Sequence, residues 1–243
     1  MIRFLDRGGR RLAYQQTDGA APAILFLPGY MSDMEGTKAL ALEAWAAAHG
    51  HVFRRFDYGG CGVSPGDFEA QSLADWRDDV LAMIDDLPPG PVLLVGSSMG
   101  GWLMLLAALA RPDRVAGLIG IAAAPDFTDW GFADADKAII RAEGKLVETT
   151  PYGDQPYVTT RIFWESGETL RLLDGEIAID CPVRLLHGTA DPDVPWTIST
   201  RLAERLRSAD VQTLLVKGGD HRLSRELDLA LLTRTLAELV ETL

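Results

Sequence analysis

Gly96-Ser97-Ser98-Met99-Gly100 places a serine between two glycines, with an apolar run on either side. A serine hydroxyl attacks an acyl carbon well when it is carried on a tight strand-to-helix turn, and such a turn leaves room only for glycine two positions away on each side. Gly96 and Gly100 supply that room. The same turn aims the backbone N–H of Met99 at the space where a tetrahedral oxyanion would form. In a chain with 24 glycines the five-residue string is a modest signal by itself. Its flanks strengthen it. Pro91 to Val95 is a short continuous apolar run, as in a strand buried on both faces, and Trp102 to Ala110 is rich in Leu, Ala and Met and stops at Arg111-Pro112.

A nucleophilic serine needs a base and a group that orients the base, and on this type of turn they follow in the order Ser, Asp or Glu, His. Of the four histidines, His187 and His221 lie after Ser98. His221 follows the apolar stretch Val211 to Val216 and the loop Lys217-Gly218-Gly219-Asp220, the place for a general base. His187 ends another buried strand and is expected to hydrogen-bond the loop around the acid. His49 and His51 form an H-x-H pair without an accompanying carboxylate or thiol cluster, so no metal site is expected. The acid has three candidates. Asp191, at the turn in His187 to Pro195, is the first choice; Asp193 on the same loop is the fallback, and Asp126, after the apolar stretch Val115 to Ile121, is the third. A second oxyanion donor is expected after the early strand Ala23 to Leu27, where Gly29 lets the backbone turn and the N–H of Tyr30 faces the nucleophile.

These residues require a scaffold of strands and helices. Strand candidates near Ala23, Val52, Pro91, Val115, Val183 and Val211 alternate with helical stretches at Gly36 to His49, Ser72 to Leu87 and Trp196 to Leu206. The alternation predicts an α/β fold, with a mostly parallel central sheet and helices on both faces. Ile2 to Leu5 and Arg11 to Gln15, around Gly8-Gly9, predict an antiparallel hairpin at one edge, and Arg225 to Leu243 a closing helix. At 243 residues and 47% hydrophobic content the chain is expected to form a single domain, 1–243. Residues 126–176 break the alternation and are expected to form a small, mostly helical lid. They carry Phe127, Trp130, Phe132, Tyr152, Tyr157, Phe163 and Trp164, of which Trp130, Phe163 and Trp164 are assigned to the substrate pocket.

Taken together, the elbow, the late Asp and His loops and the run Phe56-Asp57-Tyr58-Gly59-Gly60-Cys61-Gly62-Val63-Ser64 resemble the α/β-hydrolase superfamily of serine hydrolases. Leu27 to Met34, Gly96 to Leu105, Cys181 to Gly188 and Asp220-His221-Arg222 are similar to its mitochondrial palmitoyl-protein thioesterases, which also hydrolyse acyl glucuronides. The likeness is weakest between Asp126 and Asp180, and Pro28-Gly29 stands where many hydrolases carry His-Gly. The resemblance implies an α/β-hydrolase fold and an ester or thioester hydrolase with Ser98, Asp191 and His221 as the triad. No cofactor is expected, and the substrate is a small acyl ester or thioester or an S-acylated protein.

A net charge of −12 without a basic stripe argues against nucleic acid. No apolar run is long enough to span a bilayer. Two cysteines, Cys61 and Cys181, and no recognisable transit segment fit a reducing compartment and a cytoplasmic location; Cys61 is expected to be a buried, passive thiol. The same triad can also serve cofactor-free perhydrolysis or a lyase reaction, and a pocket without chemistry would make a small-ligand-binding module. General-base catalysis needs neutral imidazole, so turnover is expected to fall as pH is lowered from about 8 to about 5. A flat rate over that range contradicts it.

Overall fold

The computed structural model describes residues 1–150 and 155–243. Two short strands, β1 (Arg3–Arg7) and β2 (Arg10–Thr17), form the expected hairpin, and Gly8 and Gly9 at its tip have φ of 59° and 80°. Two consecutive residues at positive φ make the turn that matches the twist of paired strands, which is why glycine fills both positions. Then come β3 (Ala20–Leu27), α1 (Thr37–His49), β4 (His51–Phe56), α2 (Leu73–Asp86), β5 (Val92–Ser97), α3 (Met99–Ala110) and β6 (Val115–Ile121). The segment after β6 contains α4 (Phe127–Trp130), α5 (Asp134–Glu143), β7 (Lys145–Glu148), β8 (Tyr157–Thr160) and α6 (Arg161–Thr169). The chain closes with β9 (Val183–Gly188), α7 (Thr197–Arg205), β10 (Val211–Val216) and α8 (Glu226–Val240).

Among the described residues, eight strands form one sheet in the order β1-β2-β4-β3-β5-β6-β9-β10. β1 and β2 run antiparallel at one edge, and every pairing from β4 to β10 is parallel. Successive side chains of a strand point to opposite faces, so a central strand covered on both sides is apolar throughout. β3 shows this directly: Ile24 and Phe26 pack into a cluster with Leu42 of α1 and Leu236 of α8, while Leu25 and Leu27 pack with Met83 of α2, Leu103 of α3 and Leu202 of α7. Helices cover both faces, as the alternation predicts. Local signals set their ends: Ser72 Oγ and Asp75 exchange the reciprocal bonds of a capping box at the start of α2, and Gly50 at φ 74° stops α1. No helix among the described residues is long and apolar enough to cross a membrane.

The segment between β6 and β9 departs from expectation in one respect. Beside its helices α4, α5 and α6 it carries an antiparallel ribbon, in which β7 and β8 pair with Lys145 opposite Thr160 and Glu148 opposite Tyr157. Val147-Glu148 and Tyr157 to Thr160 are rich in β-branched and aromatic residues, a signal masked by the surrounding charges. The buried carboxylate of Asp126 accepts hydrogen bonds from the amides of Leu172 and Leu173 at 2.8 and 2.7 Å, so both ends of the segment meet at one side chain. Trp102 Nε1 donates to Leu170 O and Trp164 Nε1 to Thr128 O, which fastens the segment to α3 and to itself.

The glycines around Ser98 are fixed by close backbone approach. A side chain at Gly96 would overlap the Gly100 carbonyl, and one at Gly100 would overlap the carbonyls of Leu27 and Pro28. Gly100→Ala is therefore expected to lower stability by about 1–3 kcal/mol through overpacking, although alanine is the better helix former by about 1 kcal/mol. An unchanged urea midpoint would show that the neighbouring backbone yields freely.

Candidate active site

Ser98 lies between β5 and α3 with φ 53° and ψ −119°, a conformation that an L residue adopts only when its surroundings impose it. Its own backbone is held on both sides: the Ser98 N–H donates to Ile121 O at 2.9 Å, and the Ala124 N–H donates to Ser98 O at 3.1 Å. The side chain is half-buried and lines a cavity of about 330 Å³. Met99 begins α3, so its N–H has no acceptor within the helix. The turn after β3 comes up against Ser98, since a Cβ built on Gly29 would lie 3.4 Å from the Ser98 Cβ. Tyr30 follows Gly29 in that turn, and Met99 follows Ser98 directly in the chain. The Tyr30 ring, in contrast, belongs to an aromatic cluster with Phe68, Trp76 and Phe163, and its hydroxyl donates to Val158 O at 2.6 Å.

His221 and Asp191 follow β10 and β9, which are neighbours in the sheet, so the loops that carry them meet. Thr189 N–H donates to Val216 O and Ala190 N–H to Gly219 O, both at 2.9 Å. His221 Nδ1–H donates to Asp191 Oδ2 at 2.8 Å, which leaves Nε2 as the basic nitrogen of the neutral ring. The Asp191 side chain is fully shielded from solvent and that of His221 is 18% exposed, lining the same cavity as Ser98. Burial pushes the Asp191 carboxyl toward its neutral form. Hydrogen bonds from His187 and His221, the charge His221 carries when protonated and the Val194 amide outweigh it, so the acid sits well below the usual carboxylate range.

His187 does what its position suggested. Its Nε2–H donates to Val194 O at 2.9 Å and lies 3.2 Å from Asp191 Oδ2, while Nδ1 accepts from the buried Ser199 hydroxyl at 2.7 Å. The ring braces the Asp191 loop from beneath. Asp193 is exposed, and its amide donates to Asp191 Oδ1. Asp126 is engaged with Leu172 and Leu173, and burial raises its pKa; it orients the end of the inserted segment and makes no bond to His221. His49 and His51 both stack on Trp45, with ring centroids 4.4 and 5.7 Å away, and neither lines the cavity. Cys61 is buried, and burial pushes its thiol up to about 12, which favours the protonated form.

The pocket aromatics divide. Trp130 lines the cavity. Phe163 and Trp164 do not: Phe163 is 1% exposed against Tyr30, Trp76 and Phe127, and Trp164 is packed with Ile140 and Leu146 beneath the Arg141 guanidinium. Both sit on the inward face of α6, where an amphipathic helix spends its large side chains on anchoring. Phe127, Phe132 and Tyr157 join Trp130 in the apolar wall instead, whereas Lys38, Arg222, Ser32 and Ser224 form a polar side. Nothing in the local sequence marks Lys38, which arrives through the placement of α1. Tyr152 lies outside the described residues.

The family described as serine aminopeptidase, S33 matches residues 19–161. The mitochondrial palmitoyl-protein thioesterase ABHD10 of Homo sapiens is 44% identical over 247 residues, covering 100% of this chain and 81% of that protein. The solved structure of alpha/beta hydrolase domain-containing protein 10 from mouse matches with a TM-score of 0.93 at 41% identity, over 100% of this chain and 99% of that one. A putative hydrolase from Agrobacterium vitis S4 matches at 0.92 and 36% identity, over 99% and 98%.

A depressed carboxylate pKa stabilises the fold above the unfolded value, about 4, and loses that contribution as pH falls toward the folded one. Asp191→Asn removes this titration. Unfolding free energy is expected to fall less steeply between about pH 4 and pH 2 in the variant than in the parent, and equal slopes in acid denaturation would contradict the assigned shift.

Proposed function

The chain belongs to the α/β-hydrolase family of serine hydrolases, and from that premise we propose that Ser98, His221 and Asp191 carry out its acyl transfer to water. It is a serine hydrolase of carboxylic esters or acyl thioesters. The observation that carries the assignment of residues is the shared cavity: Ser98 on its strained turn and His221, bonded through Nδ1 to a buried, ionised Asp191, line the same space. His221 Nε2 takes the Ser98 proton as Oγ attacks the acyl carbon. The N–H groups of Tyr30 and Met99 hold the resulting oxyanion. Collapse breaks the bond to the leaving oxygen or sulfur, which receives the proton from His221. Water, deprotonated by the same nitrogen, then adds to the acyl-enzyme, and a second collapse returns the proton to Ser98 and releases the acid. Asp191 keeps the ring in the required tautomer and stabilises the imidazolium.

The cavity supports an acyl chain lying against Phe127, Trp130, Phe132 and Tyr157, with the leaving group on the side of Lys38 and Arg222. Residues 126–176 act as its lid within a single domain. Fatty acyl thioesters, including S-acylated protein, are the proposed substrates, since the human relative is named a palmitoyl-protein thioesterase. A reducing compartment such as the cytoplasm suits the two unpaired thiols, Cys61 and Cys181.

Hydrolysis of acyl thioesters and oxygen esters of graded chain length, with Ser98→Ala as the blank, tests this reading. The substitution is expected to lower kcat by about 10³-fold or more, and a fluorophosphonate probe to label Ser98 in the parent. Retained turnover in Ser98→Ala, or an unlabelled parent that binds a small ligand tightly, would replace it with a different chemistry or a binding role.

A further inference from the structure

The turn that carries the Tyr30 amide is irregular, so something outside it must fix its position. The residues ending and following β4 provide three hydrogen bonds to its backbone. Tyr58 OH donates to Pro28 O at 3.0 Å, the Met34 N–H donates to Asp57 Oδ1 at 2.7 Å, and Arg55 Nη1 donates to Met34 O at 3.1 Å. Two adjacent side chains thus grip opposite ends of the stretch from Pro28 to Met34. Both are rigidly placed. Asp57 is 1% exposed, and its second oxygen accepts from the Val63 N–H at 2.8 Å. The Tyr58 ring is fully buried, edge-on to Phe56 with centroids 5.0 Å apart and tilted against Trp76 at 5.9 Å. Within the gripped stretch Met31 has φ 51°, a conformation that unsupported backbone avoids. Gly62, at φ 51°, leaves the space that the Asp57 carboxylate occupies.

We propose that Tyr58 is a positioning residue for hydrolysis: its hydroxyl on the Pro28 carbonyl, with Asp57 on the Met34 amide, sets the turn that aims the Tyr30 N–H at the oxyanion. The inference rests on the reading of Tyr30 as an oxyanion donor given above. An amide aimed at charge that exists only in the transition state affects turnover and leaves ground-state binding nearly unchanged. Removing one such donor costs about 10²–10³ in rate, so loosening it through its support is expected to cost about tenfold.

Tyr58→Phe removes the hydroxyl and keeps the ring in its packing. The expected result is a fall of about tenfold in kcat with KM nearly unchanged, a parallel weakening of a boronic acid transition-state analogue, and unaltered binding of the carboxylic acid product. Asp57→Asn, which disturbs the other end of the same turn, is expected to show the same parallel loss and serves if Tyr58→Phe does not fold. Unchanged kcat in a folded variant overturns the proposal, as does a lower kcat with unweakened boronic acid binding. Failure of the serine-nucleophile reading, on which the Tyr30 assignment itself depends, has a different signature, because Ser98→Ala would then retain turnover.

Discussion

Three stretches of backbone meet around Ser98, and their contact distance sets most of what the site can do. The end of β5, the first turn of α3 and the end of β3 approach so closely that Gly96 and Gly100 have no space for a methyl group. That approach drives the chain through a sharp reversal, and Ser98 takes the positive φ left at its apex. Strain of this kind persists only where the surroundings over-determine it. Here the surroundings are the parallel pairings of β5 with β3 and β6, which are buried on both faces and have no freedom to relax. The strained turn at Ser98 is thus a by-product of packing, and the close approach that imposes it falls on the same glycines that the fold requires.

Electrostatics complete what geometry begins. A carboxylate with no exposed side-chain surface would ordinarily be neutral, and Asp191 stays ionised because two imidazoles and the Asp193 and Val194 amides surround it. The ionised acid then fixes which nitrogen of His221 carries the proton. Placement again comes from topology: parallel strands deliver their following loops to one edge of the sheet, where ligands bind in open α/β folds. The adjacency of β9 and β10 puts His221 and Asp191 in contact without a long-range search.

Much of this was legible in the residues. Ser98, Asp191 and His221 each follow a strand that the sequence marks, so chain order brings the proposed nucleophile, acid and base to one edge, and the hairpin around Gly8-Gly9 announces itself by turn chemistry. The inserted segment was less legible. Its aromatics alternate with charges at spacings that fit a wall or an anchor equally, and only the packing of α6 shows that Phe163 and Trp164 face inward while Phe132 and Tyr157 reach the cavity. Lys38 carries no local mark at all, because its place at the cavity depends on where α1 docks. The ribbon of β7 and β8 was hidden for a related reason: strands this short hold few residues from which a period can be read.

The carboxylate of Asp126 binds the amides of Leu172 and Leu173, so the insertion leaves the central sheet and returns to it at a single junction. Between those ends Tyr30 bonds Val158 O and packs on Phe127 and Phe163, so exchanging the stretch would carry over to the turn beside Ser98, and any graft of a different wall must supply a new seat for that ring.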